Sequence, residues 1–236
     1  MAERADVVFV DGVRTPFGRA GEKGMYWNTR ADDLIVKAMI GMLERNPNLP
    51  KERIDEVAVA ATTQEGDQGL TGLPLSVPGY AIDRMCAGAM TAVTAVAGSI
   101  AFGAYDVAIA GGVEHMGRHP MGGNADPNPR FLAEKLVSPD ALNMGITAER
   151  LHDRFPQLTK ERSDRFGMRS QQKVAAAYEA GHIQPDLVPV AIRSGEGWGL
   201  ATHDEGLRPE TTMEGLATLR TPFRPHGRVT AGNASP

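Results

Sequence analysis

Ala81-Ile82-Asp83-Arg84-Met85-Cys86-Ala87-Gly88-Ala89-Met90 decides how the rest of the chain reads, because it holds the only cysteine among 236 residues. A lone cysteine is most often a small buried hydrophobe. The flanks of Cys86 point elsewhere. A short apolar segment, Tyr80 to Ile82, precedes it, and a proline-free run rich in Ala, Val and Met extends from Ala87 to Gly103. This pattern predicts a strand handing over to the first turn of a helix, with Cys86 at the junction. Unpaired N–H groups and the positive end of the helix dipole favour an anion there, one of the recognised ways to activate a thiol. The residues alone leave a structural thiol and a nucleophile both open.

Upstream, Asp6-Val7-Val8-Phe9-Val10 reads as a strand buried on both faces. The Gly- and Pro-set loop Asp11 to Gly18 follows. Thr29 is the expected N-cap, with Asp32 three residues on, of a helix whose apolar stripe is Leu34, Ile35, Ala38, Met39 and Met42 and which ends before Pro47. Val57 to Ala61 is a second buried strand, and Asp106 to Gly112 a third, ending in paired glycines. Strands alternating with helices predict βαβ units, a mostly parallel sheet and an α/β fold. Reactive groups in such sheets gather at the carboxyl ends of strands, where Cys86 falls.

After Gly112 the texture changes. Residues 113 to 130 are rich in Gly, Pro, Met and Asn and predict a long irregular excursion. A helix is expected from Asn143 to Phe155, and another from a Thr159 cap to Ala180, stopped by Gly181. Pro185 to Ile192 reads as a strand, 194 to 209 as loop, and Thr212 to Leu219 as a short helix.

Composition sets bounds on function. A hydrophobic share of 42% with 23% charged residues is ordinary for a globular protein, and a net charge of −4 gives no reason to expect nucleic acid or an anionic membrane as partner. One cysteine excludes an intramolecular disulfide and fits a reducing compartment. Met1 to Val10 carries no signal-peptide core, and no window is read as approaching 18 uncharged apolar residues, so the expectation is a cytoplasmic protein without membrane contact. No Cys–His cluster suggests a metal. The six histidines sit in loops or on helices in no shared motif.

Several stretches together resemble the thiolase family. Val13-Arg14-Thr15-Pro16-Phe17-Gly18 is similar to its opening loop, and Arg84-Met85-Cys86-Ala87 to its nucleophile motif. Ala110-Gly111-Gly112-Val113-Glu114-His115-Met116 is similar to the signature closing the next strand, and Met144-Gly145-Ile146-Thr147-Ala148-Glu149 to a helix start. Arg208-Pro209-Glu210-Thr211-Thr212, with Leu216 to Phe223, and Val229-Thr230-Ala231-Gly232-Asn233-Ala234-Ser235 complete the series. Each alone is a weak signal; all of them in this order are specific. The flavour is that of degradative 3-ketoacyl-CoA thiolases.

The resemblance implies a layered α/β fold with helices on both faces of a mostly parallel sheet, interrupted by an α-rich loop domain. It divides the chain into residues 1–115, a loop domain at 116–228, and a return at 229–236. The implied reaction is cleavage of a 3-ketoacyl-CoA by CoA to acetyl-CoA and a shortened acyl-CoA, or the reverse Claisen condensation. Cys86 would carry the acyl group, and Arg208, Ser235 and Met144 would contact CoA. Coenzyme A is then a substrate, with no permanently bound cofactor and no metal. A homodimer or tetramer is implied, with a hydratase/dehydrogenase subunit as a further candidate partner.

This sequence also departs from the family pattern. About a helix's worth of residues is absent near Leu70 to Gly72, Gly88 replaces a small hydroxylic residue, Asn143 stands where some relatives have His, and Gly215 stands where many have Ser. The family's Asn-Glu-Ala-Phe segment, its Gly-His-Pro histidine and its second cysteine do not occur within these residues. The chain by itself is therefore expected to lack turnover. The alternatives are a catalytically incomplete CoA-binding or scaffolding subunit and a related condensing enzyme.

Overall fold

The computed structural model describes residues 6–68, 76–123, 126–195 and 197–235. The chain forms two compact units, described separately: residues 1–123 with 184–205, and residues 124–183 with 206–236. The hairpin region 184–205 thus belongs with the first unit and 229–235 with the second, whereas the sequence division was drawn at 116 and 228. The shortened connection expected near Leu70 lies outside the described residues.

In the first unit, helix α1 (Ala31–Arg45) precedes strand β1 (Glu56–Ala61). Next come β2 (Gly79–Asp83), a tight turn at Met85–Ala87, helix α2 (Gly88–Phe102) and β3 (Ala108–Gly112). The strands form a parallel sheet in the order β2-β1-β3, with Ala61 opposite Asp83 and Ala60 opposite Gly112. Their carboxyl ends therefore lie along one edge.

The pleat of β1 sorts side chains by size. Val57 and Val59 lie with Ile109 against Ile35, Met39 and Leu43 of α1. Ala58, on the opposite face, packs against Ala92 and Val96 of α2. Large residues under α1 and small ones under α2 let α2 come close to the sheet. A Cβ added at Gly88 would lie 2.7 Å from the Ala60 Cβ, and one at Gly112 would lie 2.9 Å from the Ala60 carbonyl oxygen. The missing hydroxylic residue at position 88 thus has a steric cause.

Helix α2 ends at Gly103, whose φ of 81° lets its N–H and that of Ala104 reach the Ile100 and Ser99 carbonyls, a glycine-terminated cap. Contrary to the sequence expectation, Met85–Phe102 is an 18-residue stretch apolar enough by composition to cross a membrane, with mean hydropathy 1.7. Its place in the fold gives another reason for that composition. It is the crossover between two strands that both pair with β1, and its Ala-rich face lies on the sheet.

The expected strand at Asp6 to Val10 does not form. Both edges of β1 are taken by β2 and β3, and Val8, Phe9 and Val10 stay 74–84% exposed without apolar cover. Thr29 is buried and caps nothing: Arg30 occupies the cap position of α1, and the carboxylate of Asp67 accepts the Ala31 N–H at 3.2 Å instead.

The second unit contains helices α3 (Arg130–Ala133), α4 (Met144–Arg154) and α5 (Lys160–Glu179). Asn143 and Thr159 cap α4 and α5 through their side chains. Asn143 therefore has a local structural use at its family-variant position. Back in the first unit, strands β4 (Val190–Ser194) and β5 (Gly197–Ala201) form an antiparallel hairpin. The second strand was missed because Gly195, Gly197 and Gly199 read as loop. Helix α6 (Met213–Ala217), capped by Thr212, completes the second unit.

Candidate active site

Cys86 sits where the sequence places it, in the turn between β2 and α2 at the carboxyl edge of the sheet, and it is exposed. Met85, immediately before it, has φ 47°, a left-handed conformation that costs a non-glycine residue about 1 kcal/mol or more. That strain turns the chain sharply enough to hold the thiol out from the sheet at the opening of a helix. The close packing of Gly88 on Ala60 fixes the following residue. Arg84 donates from Nη1 to Thr91 Oγ1 at 3.2 Å, and Thr91 donates to the Ala87 carbonyl at 2.8 Å, bracing the turn from outside.

Two side chains that the sequence reading did not assign tie this edge together. Glu114 accepts the Thr62 N–H at 2.7 Å, joining the exit of β3 to the exit of β1. Gln64 donates to the Ile82 carbonyl at 3.0 Å, joining the β1 exit to β2 three residues before the turn begins. The signal for Glu114 was its place in the Ala-Gly-Gly-Val-Glu motif; Gln64 gave none.

Among the described residues, none makes a hydrogen bond or ion pair with the Cys86 sulfur. Several histidine rings are engaged elsewhere. His115 is buried, its Nε2 2.8 Å from the Tyr26 carbonyl while its Nδ1 accepts the Arg118 N–H at 3.1 Å. Gln68 accepts the His115 N–H at 2.8 Å. His119 bonds Asp67, whose other oxygen lies 3.0 Å from Arg118 Nε. Burial pushes the Asp67 carboxyl up, but His119, the Ala31 N–H and Arg118 outweigh it and hold the carboxyl below its ordinary value. In the second unit His152 Nδ1 lies 2.6 Å from the Leu158 carbonyl.

The opening Arg14-Thr15-Pro16-Phe17-Gly18 loop is held by the far end of the same unit. Arg14 makes a two-armed ion pair with Asp204 at 2.7 and 2.8 Å, and Asp204 also accepts the Phe17 N–H. Glu205 accepts the Arg19 and Met25 N–H groups. Tyr26 donates to the Pro16 carbonyl, and burial pushes its phenol well up.

Arg208, Ser235 and Met144 all belong to the second unit and all are exposed. Met144 opens α4. The Arg208 N–H donates to Gln171 of α5 at 2.8 Å, and its guanidinium donates to the Leu207 carbonyl. Ser235 follows a turn in which Asn233 accepts the Thr230 N–H. Gly145 has a packing cause as well, because a Cβ there would lie 2.2 Å from the Phe223 ring. Among the described residues no group of three or more His, Cys, Asp or Glu side chains is placed to hold a metal ion.

The family profile described as "Thiolase, N-terminal domain" matches residues 7–236. The chain belongs to the thiolase family. A 3-ketoacyl-CoA thiolase of Saccharophagus degradans is 39% identical over 98% of this chain and 61% of its own length. A peroxisomal human 3-ketoacyl-CoA thiolase is 36% identical over 99% of this chain and 58% of its own. A beta-ketoadipyl-CoA thiolase of Pseudomonas aeruginosa is 37% identical over 98% of this chain and 63% of its own. The chain thus spans about 60% of the length of these thiolases. The crystal structure of the Bacillus anthracis acetyl-CoA acetyltransferase superposes with a TM-score of 0.77 at 30% identity, over 94% of this chain and 60% of that one. The parallel sheet flanked by helices is the thiolase layered fold expected from the sequence.

Proposed function

We propose that this chain carries the acyl-accepting part of a thiolase acting on 3-ketoacyl-CoA, with Cys86 as nucleophile. The observation that carries the reading is the exposed Cys86 in a strained turn opening α2, at the carboxyl edge of the sheet, within a family-matched chain. In cleavage the Cys86 thiolate attacks the keto carbon, and the bond between that carbon and the α-carbon breaks. The acyl group stays on sulfur as a thioester, and the departing acetyl-CoA carbanion takes up a proton. A second CoA thiol then attacks the thioester and releases the shortened acyl-CoA, giving two half-reactions and ping-pong kinetics. The oxyanion formed in each attack needs preorganised donors.

Arg208, Ser235 and Met144 would contact CoA: the guanidinium at its phosphate or adenine end, the hydroxyl on a pantetheine amide, and the thioether along the apolar arm. The reading includes a cytoplasmic homodimer or tetramer, with a hydratase/dehydrogenase subunit as partner. It also includes the absence of turnover by residues 1–236 alone, since no described base meets the Cys86 sulfur and nucleophile and base act as a unit. Calorimetry with CoA and a thiolysis assay with acetoacetyl-CoA test it together. The reading expects CoA binding that Arg208→Gln weakens, and turnover no faster than that of Cys86→Ser. Absence of CoA binding contradicts the site, and turnover above the Cys86→Ser background contradicts the inactivity.

A further inference from the structure

Two buried carboxylates of the second unit have no part in the acyl chemistry, and both hold one short segment. Glu149 on α4 is 1% exposed and Asp164 on α5 is 2% exposed. Glu149 Oε1 accepts the Arg228 and Val229 N–H groups at 2.7 and 2.8 Å, while Oε2 lies 3.2 Å from Arg224 Nε. Asp164 Oδ1 accepts from Asn233 Nδ2 at 2.7 Å, and its Oδ2 pairs with Lys160, which also donates to the Leu216 carbonyl at 2.8 Å. Asn233 uses the rest of its amide inside the segment, donating to the Arg228 carbonyl at 2.8 Å and accepting the Thr230 N–H at 2.9 Å.

Burying a carboxylate is unfavourable unless it is paired and hydrogen-bonded, so two of them spent on one turn, whose Val229 and Thr230 are themselves buried, fix that turn's geometry. Glycines bring the backbones together. A Cβ at Gly167 of α5 would lie 2.3 Å from the Gly232 carbonyl oxygen, and one at Gly227 would lie 2.3 Å from Glu149 Oε1. The chain leaves this clamp at Asn233 with exposed Ser235 two residues on.

We infer that Glu149 and Asp164 are positioning residues for the contact of Ser235 with coenzyme A, an inference that rests on the CoA reading of Ser235. Asp164 acts through Asn233. Replacing Asp164 by Asn puts an amide N–H₂ against either Lys160 or the Asn233 N–H₂, so one of the two bonds is lost while volume is kept.

Calorimetry with CoA on the full 236-residue chain tests it through a double-mutant cycle. Ser235→Ala and Asp164→Asn should each raise the CoA Kd roughly tenfold, the scale of one oriented hydrogen bond. The double variant should bind no more weakly than either single one, because the carboxylate acts only through the serine. Asn233→Ala, which leaves the Lys160–Asp164 pair intact, should behave like Asp164→Asn and carries the test if that variant does not fold. Wild-type affinity in folded Asp164→Asn and Asn233→Ala, with Ser235→Ala weakened, overturns the positioning role alone. Additive losses overturn it too, since they indicate general damage. Unchanged affinity in Ser235→Ala overturns the CoA assignment of Ser235 and the inference with it.

Discussion

Replacing Gly88 with Ser tests the link between sheet packing and the Cys86 turn. A Cβ at position 88 would sit 2.7 Å from the Ala60 Cβ. Ordinary contact begins near 3.4 Å, so the pair must part by roughly 0.7 Å (3.4 less 2.7). Ala60 is 2% exposed in the central strand and its Cβ has no torsion to swing away, so the start of α2 has to move. Overpacking of this kind costs about 1–3 kcal/mol. At about 2–4 °C per kcal/mol for a chain of this size, Tm should fall by about 2–12 °C. The moved element begins two residues after Cys86, so the rate of Cys86 alkylation by iodoacetamide should change in the same variant. Ala60→Gly in the Gly88→Ser background should recover part of the lost Tm. A Tm within about 1 °C of wild type, with an unchanged alkylation rate, would refute the claim that this contact sets the turn.

Other outcomes follow from the same contacts. Glu149→Ala leaves two backbone N–H groups without their acceptor, while Arg224 keeps its pair with Asp153, and should cost about 2–4 kcal/mol, read as a lower urea midpoint; a loss under about 1 kcal/mol contradicts the clamp. Asp67 has a depressed carboxyl, so its stabilisation is fully present above the unfolded value of about 3.9 and fades as pH falls through the lower folded value. The gap in urea midpoint between wild type and Asp67→Asn should therefore narrow from about pH 6 to about pH 3, and a constant gap would contradict the role given to His119, the Ala31 N–H and Arg118. Asp204→Ala removes both arms of the Arg14 pair and the acceptor of the Phe17 N–H, and should cost about 1–3 kcal/mol in the same assay.

What the sequence made legible was mostly local. The Thr159 cap, the helix starts near Asn143 and Thr212, the stop at Gly181 and the Cys86 turn depend on neighbours within a few residues, and the local pattern exposes them. Contacts between distant residues were not legible. Asp67 caps α1 from 36 positions away, which displaced Thr29. Asp6 to Val10 has the composition of a buried strand but pairs with none of the described strands and stays exposed. The β4–β5 hairpin was hidden because its glycines alternate with Trp198 and Leu200, which remain exposed rather than forming a core stripe. At the site the turn that presents Cys86 was readable from its motif. The roles of Glu114, Glu149 and Asn233 required the bonds themselves, since a motif marks a residue without saying what it holds.

The central claim is that Cys86 takes an acyl group from a CoA thioester. Incubating the chain with acetyl-CoA at alkaline pH, where thiols ionise without an added base, and mapping the modified peptide by mass tests it most directly. The account predicts one acetyl group, on the peptide carrying Cys86, formed faster than on a denatured control and absent from Cys86→Ser. Acetylation no faster than in the denatured chain, or a label that persists in Cys86→Ser, would contradict it.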